Sequence, residues 1–328
     1  PTGVTRELVS TIDAVRGIPG VEVVRLFSPE HGLRGQHYAG DKVNENRDPV
    51  SGLPVMSLYG ATRRPTPEML EGLDVVLFFN DKVATEIYTF VSSLTYLMEA
   101  CEEAGVAVWV LDRPDPTGGH IVGGPMIDED LLSFIGVHPV PQVYGMTPGE
   151  WARMIRAERT PGIDLRVIPM DGWRRGMTFG ETGWIWVPTS QHIPQWTTSY
   201  FYAMTGTIGE LGKVNVGVGT PTPFELIGQE WLDGVEFARR LNARGLPGAF
   251  HIRVGGYVND PALAAQNLQR AAERLGAAFR FRSSVADILR GGGRVAGVEL
   301  DGGERVPAPI VINAAGPHSA QINRIAGV

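Results

Sequence analysis

The chain has 328 residues, of which 43% are hydrophobic and 20% are charged, a composition typical of a packed globular protein and not of a disordered one. This length exceeds one small core and favours two domains. The formal net charge of −7 disfavours a nucleic-acid binder, which usually has a basic face.

Neither a membrane span nor a metal cluster is predicted. No run of 18 uninterrupted apolar residues occurs, so we expect no transmembrane helix. The single cysteine, Cys101, cannot form an internal disulfide or build a metal site. The start at Pro1 shows no basic-then-apolar signal peptide, so the sequence leaves the location of the protein open.

Strands and helices alternate over the first 119 residues, a pattern that favours a parallel sheet with right-handed crossovers. The predicted elements are a helix over Val4–Ile18, strands over Val21–Phe27 and Pro54–Leu58, a helix over Thr66–Glu71, a strand over Asp74–Phe79, a helix over Glu86–Gly105 and a strand over Val106–Leu111. A polar, Gly/Pro-broken loop is predicted over 35–54.

Two further regions follow, so that we predict three domains: 1–119, 120–254 and 255–328. The middle region is expected to be a smaller α+β unit with helices over Thr147–Glu158 and Gly234–Arg244. The last region is expected to be an appended α+β tail. Its predicted elements are a helix from Asp260 to Gly276 and strands over Phe279–Phe281, Val285–Arg290, Val295–Leu300 and Ile310–Asn313.

Ionisable side chains follow two of the predicted strands. Glu30, His31 and Arg34 follow the first, and Asp112 and Arg113 follow the last. Ligands of parallel sheets bind outside the carboxyl ends of the strands, so these side chains form a candidate site. A carboxyl that donates a proton and a second charged group are what a glycosidase needs, but the spacing fits a solvated surface loop equally well.

The chain resembles NamZ-type exo-acting N-acetylmuramidases over about residues 1–254. The resemblance rests on SPEHGLRG from Ser28, GLPVMSLYGATRRPTPEML from Gly52, LDRPDP from Leu111, GVHPVPQVYGMTPGEWA from Gly136, WVPTSQHIP from Trp186, GVGTPTPFELIG from Gly217 and LPGAFHIR from Leu246. It implies a Rossmann-like parallel-sheet domain with a smaller partner domain. It also implies a glycoside hydrolase that releases terminal N-acetylmuramic acid from peptidoglycan fragments, with no organic cofactor, and usually an exported or periplasmic protein.

Site residues are implied by the same resemblance. Glu30 would be the catalytic acid/base, and His31 and Arg34 would orient it or hold the lactyl carboxylate, for which an arginine fork is suited. Glu225 is a possible second carboxyl or a structural ion-pair partner. The remaining candidates for substrate binding are Asp112, Arg113, Tyr59 and Tyr88. Whether the mechanism retains or inverts stays open, as it depends on the separation of the two carboxyls.

One segment departs from the family pattern. Where the family reads close to DIQDVGxRFYTY, this chain reads FNDKVATEIYTF from Phe79 to Phe90. Phe79 replaces an acidic residue and Glu86 replaces an arginine, while Tyr88 and Thr89 are kept. A charge reversal at a strand end changes what a cleft binds, so a catalytically inactive carbohydrate-binding relative is the alternative.

The tail, 255–328, resembles the middle of FAD-dependent oxidoreductases of the D-amino-acid-oxidase type, with the Ala314–Gly316 segment beside the flavin in that family. A G-x-G-x-x-G fingerprint after an N-terminal strand is missing, and Gly291–Gly293 is predicted to lie in a hairpin turn. Without a phosphate-binding helix start, FAD should not be held. We therefore expect a fused or misassembled, non-catalytic fragment, with a fragment of a flavin oxidoreductase as the other possible function.

Overall fold

The computed structural model describes residues 3–44, 46–83, 85–243, 273, 276–280, 283–312 and 319–326. The chain divides into two compact units, Pro1–Asn259 and Asp260–Val328. The helices described in the first unit are α1 (Thr11–Arg16), α2 (Pro67–Leu70), α3 (Phe90–Ala104), α4 (Pro148–Glu158), α5 (Thr198–Glu210) and α6 (Gly234–Ala243). Its strands are β1 (Leu26–Ser28), β2 (Val55–Ser57), β3 (Val75–Phe78), β4 (Ala107–Leu111), β5 (Gly123–Met126), β6 (Pro141–Val143) and β7 (Leu165–Ile168).

Parallel pairing orders the first unit, as the alternation of elements predicts. Strands β1 and β2 pair in parallel, with Phe27 opposite Met56. Strand β4 pairs in parallel with β3 on one side and with β7 on the other. The carboxyl ends of paired parallel strands meet at one edge, so the loops after β1 and β2, and those after β3 and β4, are neighbours. The protein is thus a mixed α/β protein with parallel sheets and several helices.

Strand β7 lies in the range predicted for the smaller partner domain, yet it joins the sheet that begins with β3 and β4. That sheet therefore takes strands from both sides of residue 119, and the three-domain division stays a prediction. Between β4 and β7, strands β5 and β6 form a separate antiparallel pair.

Helices α3 and α4 form the core with the sheet of β3, β4 and β7. Leu94, Met98 and Trp151 are fully buried there, and each such side chain contributes about 1.5–3 kcal/mol by leaving water. The Trp151 indole donates a hydrogen bond to Thr95 Oγ1 at 3.0 Å, so its polar atom is satisfied inside the core. Helix α3 ends at Gly105, whose φ of +69° is the left-handed geometry that glycine adopts without a Cβ penalty.

Three predicted elements are shorter than expected. The predicted helix over Val4–Ile18 is helical only in α1, because Leu8 has a φ of +61° and Val4 forms an antiparallel bridge with Ser10. The strand predicted over Val21–Phe27 is reduced to Leu26–Ser28. Helix α3 begins at Phe90 rather than at Glu86, and the Glu86 amide donates to Gln142 O at 3.1 Å.

The helix predicted from Thr147 is confirmed with its capping box. Thr147 Oγ1 accepts from the Glu150 amide at 3.2 Å, and Glu150 Oε2 accepts from the Thr147 amide at 3.0 Å. These reciprocal bonds satisfy amides that have no partner inside the helix.

In the second unit the described residues form an antiparallel sheet and one helix. The sheet has the order β10 (Arg305–Pro307), β9 (Arg294–Leu300), β8 (Val285–Gly291), and the helix is α7 (Ser319–Ala326). Gly292 and Gly293 form the predicted turn between β8 and β9 with φ of +58° and +76°. The predicted helix from Asp260 and the Ala314–Gly316 segment lie outside the described residues, as do parts of the strands predicted over Phe279–Phe281 and Ile310–Asn313. In the part of the chain described here, no helix has the length and apolar character needed to cross a membrane.

Candidate functional site

Glu30 lies in the turn that follows β1, and both of its carboxylate oxygens are held. Oε2 accepts a hydrogen bond of 2.5 Å from Thr89 Oγ1, and Oε1 accepts one of 3.0 Å from the Gly40 amide. Thr89 precedes α3, and Gly40 lies in the loop between β1 and β2. Three separate segments therefore converge on this half-buried carboxyl, and hydrogen bonds to both oxygens fix its orientation.

His31 is buried beside Glu30 in a strained backbone conformation. Its φ of +68° is uncommon for a residue with a Cβ, and its Nδ1 lies 3.2 Å from His37 O. Burial lowers the pKa of His31, although the Glu30 charge partly opposes this effect. The imidazole is consequently neutral at pH 7, and it stacks on Tyr88 with ring centroids 6.0 Å apart.

Two predicted tyrosines lie close to Glu30. Burial and the neighbouring Glu30 carboxylate raise the pKa of Tyr59 to about 12, and the Arg63 guanidinium lies over the Tyr59 ring. Burial likewise raises the pKa of Tyr88, with a smaller contribution from Glu30. Both phenols are therefore protonated at neutral pH and retain a hydrogen-bond donor.

Arg34 forms an ion pair with Asp48, a residue outside the SPEHGLRG motif. Its Nε and Nη2 donate to the two oxygens of Asp48 at 2.7 and 2.8 Å. The Asp48 side chain is fully buried, and the Arg34 guanidinium holds the pKa of that carboxyl well below its usual range. This bidentate pair ties the two ends of the loop between β1 and β2 together, which is a structural role.

Asp112 faces the start of α4. It accepts hydrogen bonds of 2.8 Å from Thr147 Oγ1 and 2.8 Å from the Gly149 amide. Burial raises the pKa of Asp112, and these two donors oppose the effect. Its carboxylate thereby caps a helix N-terminus, where negative charge is favourable.

Arg113 belongs to a buried network after β3 and β4. Its guanidinium donates to both oxygens of Asp81 at 2.6 and 3.0 Å and lies over the Trp184 ring at 4.4 Å. In the same region Lys82 Nζ donates to Asp115 Oδ2 at 2.6 Å. All four ionised groups are buried, so each cation is neutralised by a carboxylate of the protein.

Glu86, in the segment that departs from the family pattern, is a buried carboxyl of a different kind. Only 6% of the residue is exposed, and within the described part of the chain its Oε2 has no hydrogen-bond partner. Burial raises the pKa of Glu86 to about 7.

Glu225, the predicted second carboxyl, is exposed, and within the described residues its side chain forms no hydrogen bond or ion pair. Its neighbour Phe224 is buried against Tyr202, with ring centroids 4.8 Å apart, and Tyr202 packs against Tyr88. The structure thus brings Glu30, His31, Tyr59 and Tyr88 together and places Glu225 at the surface beyond them. An open cleft of about 510 Å³ lies among Tyr96, His138, Glu158 and Arg159, and no predicted site residue lines it.

Sequence reasoning did not assign the partners Thr89, Asp48 and Lys82. These residues contact Glu30, Arg34 and Asp115 across 59, 14 and 33 positions of the chain. Loop spacing carries no signal for such pairs. Among the described residues, no three His, Cys, Asp or Glu side chains are grouped so that they could hold a metal ion.

The fold and this cluster define a mixed α/β protein with a carboxyl-centred site at the ends of parallel strands. Residues 1–197 match the sequence family described as "Exo-beta-N-acetylmuramidase NamZ, N-terminal", and the chain belongs to this family. It is 40% identical over 248 residues to the peptidoglycan beta-N-acetylmuramidase NamZ of Bacillus subtilis (strain 168), covering 76% of this chain and 60% of that protein.

Two solved structures of DUF1343 family proteins from Bacteroides fragilis NCTC 9343 are similar to the chain. One has a TM-score of 0.70 at 40% identity and covers 76% of this chain and 63% of its own. The other has a TM-score of 0.59 at 31% identity and covers 70% and 60%. The chain therefore spans about three fifths of the length of these relatives.

A second family, described as "FAD dependent oxidoreductase", matches residues 179–327. This match covers the predicted tail and overlaps the end of the first match. Both resemblances expected from the sequence are thereby confirmed, with the muramidase family accounting for the larger part of the chain.

Proposed function

We propose that this protein is an exo-acting β-N-acetylmuramidase that releases terminal N-acetylmuramic acid from peptidoglycan fragments. The support is membership of the NamZ family together with the placement of Glu30 at the carboxyl end of β1. In this proposal the finer architecture is a Rossmann-like domain over 1–119 with a smaller α+β partner domain over 120–254.

Glu30 acts as the general acid that protonates the bridging oxygen as the glycosidic C–O bond breaks and the leaving group departs as an alcohol; water adds to the sugar carbon, and the proton that it releases restores the Glu30 carboxyl. Such a proton donor must be held within hydrogen-bond reach of that oxygen, and the contacts of Glu30 with Thr89 and Gly40 supply the positioning. Tyr59 offers a hydroxyl donor to the saccharide, whereas Tyr88, whose hydroxyl is buried, packs against His31 and supports the site. His31 has a positioning role, because its neutral, buried imidazole packs beside Glu30.

The other predicted residues have positioning roles in this proposal. Arg34, Asp112 and Arg113 already hold protein partners, so we assign none of them to the lactyl carboxylate. Arg34 supports the loop that carries Glu30, whereas Asp112 caps α4 and Arg113 holds Asp81. Glu225 is exposed, and we assign it no step in the reaction.

Turnover of a chromogenic N-acetylmuramic acid glycoside tests the proposal. Glu30→Gln keeps the size and shape of the side chain but removes the transferable proton, so we expect turnover to fall at least about 100-fold. Glu22→Gln is the matched control, because Glu22 is an exposed carboxyl of the same unit, and it should retain wild-type turnover.

The alternatives give different results in the same experiment. A carbohydrate-binding relative without activity would bind the saccharide and show no turnover in the wild type. A flavin oxidoreductase fragment, supported by the match over 179–327, would give a yellow protein with a flavin absorption band. Wild-type turnover that survives Glu30→Gln would contradict the assignment of Glu30.

A further inference from the structure

Two aromatic side chains beside the Glu30 carboxyl have no part in the function proposed above. Tyr38 belongs to the loop between β1 and β2 and comes two residues before Gly40, whose amide donates to Glu30 Oε1 at 3.0 Å. His192 lies in the segment before α5. The two ring centroids are 6.1 Å apart, with 33° between the ring planes. We call this pair of side chains the Tyr38–His192 platform.

The platform is accessible from solvent. Tyr38 is 59% exposed, and His192 is half-buried. An exposed phenol ring leaves apolar surface in water, and that surface is a source of binding free energy once a ligand covers it. A ligand can therefore reach the platform without opening the core.

The backbone that carries Tyr38 is fixed against the candidate site. The His37 amide donates to His31 O at 3.1 Å, and His31 Nδ1 lies 3.2 Å from His37 O. On the other side, the Tyr38 amide donates to Asp41 Oδ2 and the Asp41 amide donates to Tyr38 O, both at 3.2 Å. The Tyr38 ring is thus exposed on a backbone that is held in place.

His192 is held in place from a different part of the chain. The next residue, Ile193, is buried in an apolar cluster of the same unit, and Gln191 Nε2 donates to Gln36 O at 3.3 Å. Burial lowers the pKa of His192, and the neighbouring His31 acts in the same direction. The His192 imidazole therefore lies near His31 and is neutral at pH 7.

The position and chemistry of the platform fit a sugar ring. Two residues span at most roughly 7 Å, so Tyr38 is within reach of a saccharide bound at the Glu30 carboxyl. A pyranose ring presents C–H groups on its faces and hydroxyls at its edge. The electron-rich face of a phenol complements such C–H groups and covers apolar surface at the same time. A cation also binds aromatic faces, but the place beside the proposed proton donor favours the saccharide.

We propose that the Tyr38–His192 platform is a saccharide-binding subsite, on which the face of a pyranose ring stacks while Glu30 acts on the adjoining glycosidic bond. The inference rests on the proposed function for the identity of the saccharide. Tyr38 contacts the sugar, and His192 has a positioning role because its ring packs beside that of Tyr38. Stacking holds the saccharide equally before and during bond cleavage, so it affects KM and not kcat.

Substitutions at Tyr38 test the subsite through KM for the chromogenic glycoside. Tyr38→Ala removes the ring and should raise KM at least about fivefold, with kcat changed less than about twofold. Tyr38→Phe keeps the ring and should restore KM to within about twofold of the wild type. Trp231→Ala, at an exposed aromatic residue of the same unit, is the matched control and should keep the wild-type KM. A wild-type KM in Tyr38→Ala, or equal losses in Tyr38→Ala and Tyr38→Phe, would overturn the inference.

Substitutions at His192 test the positioning role. His192→Ala removes the ring that packs beside Tyr38 and should raise KM about threefold, while His192→Phe supplies another flat ring and should recover most of this loss. Equal losses in the two variants would show that an imidazole nitrogen, and not ring packing, acts at this position.

A binding measurement separates this inference from the proposed function. Calorimetry with the methyl β-glycoside of N-acetylmuramic acid gives Kd in the Glu30→Gln background, where turnover does not interfere. Addition of Tyr38→Ala to this background should weaken binding at least about fivefold. That result together with a wild-type protein that shows no turnover would contradict the proposed function alone. Wild-type turnover with equal Kd in the two variants would contradict the subsite alone, and a protein that neither binds nor turns over would contradict both.

Discussion

The carboxyl of Glu30 is oriented by two donors that belong to different loops. Thr89 supplies a hydroxyl from the start of α3, and Gly40 supplies a main-chain amide from the connection between β1 and β2. The Thr89 hydroxyl can be deleted by a conservative substitution. Deleting the Gly40 amide would need proline, which the φ of +79° at Gly40 forbids, so Thr89 is the residue with which to test this orientation.

Thr89→Val removes the hydroxyl while keeping the β-branched shape. A hydrogen bond to a carboxylate contributes about 1.5–3 kcal/mol, and we expect kcat on the chromogenic glycoside to fall at least roughly tenfold. Thr89→Ser retains the hydroxyl and serves as the control, with activity within a few-fold of the wild type. Equal losses in both variants would show that packing of the methyl group, not the hydrogen bond, matters at this position.

At the scale of single residues, the sequence predicted which residue types lie after the strands, but it did not predict their ion-pair and hydrogen-bond partners. SPEHGLRG placed Glu30 and His31 after a parallel strand, where the structure has them. The engagement of Arg34 by Asp48 and of Arg113 by Asp81 was hidden, because ion pairs between loops depend on how the loops fold back. An arginine in a motif therefore fits substrate binding and structural pairing equally well until its partner is known.

Among the structural elements, the connections after β3 and β4 are joined by two buried ion pairs. Arg113–Asp81 and Lys82–Asp115 each cross from one connection to the other. Breaking such a pair on one side leaves an uncompensated buried charge, which costs more than the pair itself contributes.

Asp81→Asn should destabilise the first unit by roughly 3–5 kcal/mol, because the Arg113 guanidinium loses its counter-charge inside the protein. Urea unfolding followed by tryptophan fluorescence measures this change, since all seven tryptophans lie before residue 259. Asp164→Asn, at an exposed carboxyl of the same unit, should stay within about 0.5 kcal/mol of the wild type. A loss at Asp81 as small as that of the control would mean that Arg113 finds water or another acceptor.

The start of α3, which follows the connection after β3, was predicted less accurately than the other boundaries of α3 and α4. The sequence predicts a helix from Glu86, yet residues 85–89 form a loop in which the Glu86 amide bonds to Gln142 O and the Thr89 hydroxyl bonds to Glu30. Where local signals were strong, as in the capping box at Thr147 and the glycine at 105, the boundaries agree with the structure within about one residue. Where a segment contacts the candidate site, as residues 85–89 do, tertiary contacts rather than local sequence signals determine where the helix begins.

For the whole molecule, burial of Glu86 links folding to pH. The pKa of this carboxyl is near its ordinary value of 4.5 in the unfolded chain and is raised to about 7 in the folded protein. Between these values the folded state binds more protons than the unfolded state, so stability falls as pH rises through this window. Below about pH 4 the effect is absent.

Glu86→Gln removes this dependence. We expect the variant to be more stable than the wild type by roughly 3 kcal/mol at pH 8, where the wild type must bury a carboxylate, and equal to it near pH 4. Unfolding free energies from tryptophan fluorescence at the two pH values provide the comparison. A stability difference that is the same at pH 4 and pH 8 would locate its origin in packing rather than in ionisation.

The long connection from β1 to β2 adds no strand to the sheets, but it helps to orient the Glu30 carboxyl. Its described residues form neither a helix nor a strand, yet the Gly40 amide donates a hydrogen bond to one oxygen of Glu30. We expect a single cut by a protease near Gly40 to leave both parallel sheets intact while removing one of the two hydrogen bonds that orient the carboxyl. Under the proposed function, activity can therefore be lost while both sheets are kept, and we expect this loop to be the place where the two separate.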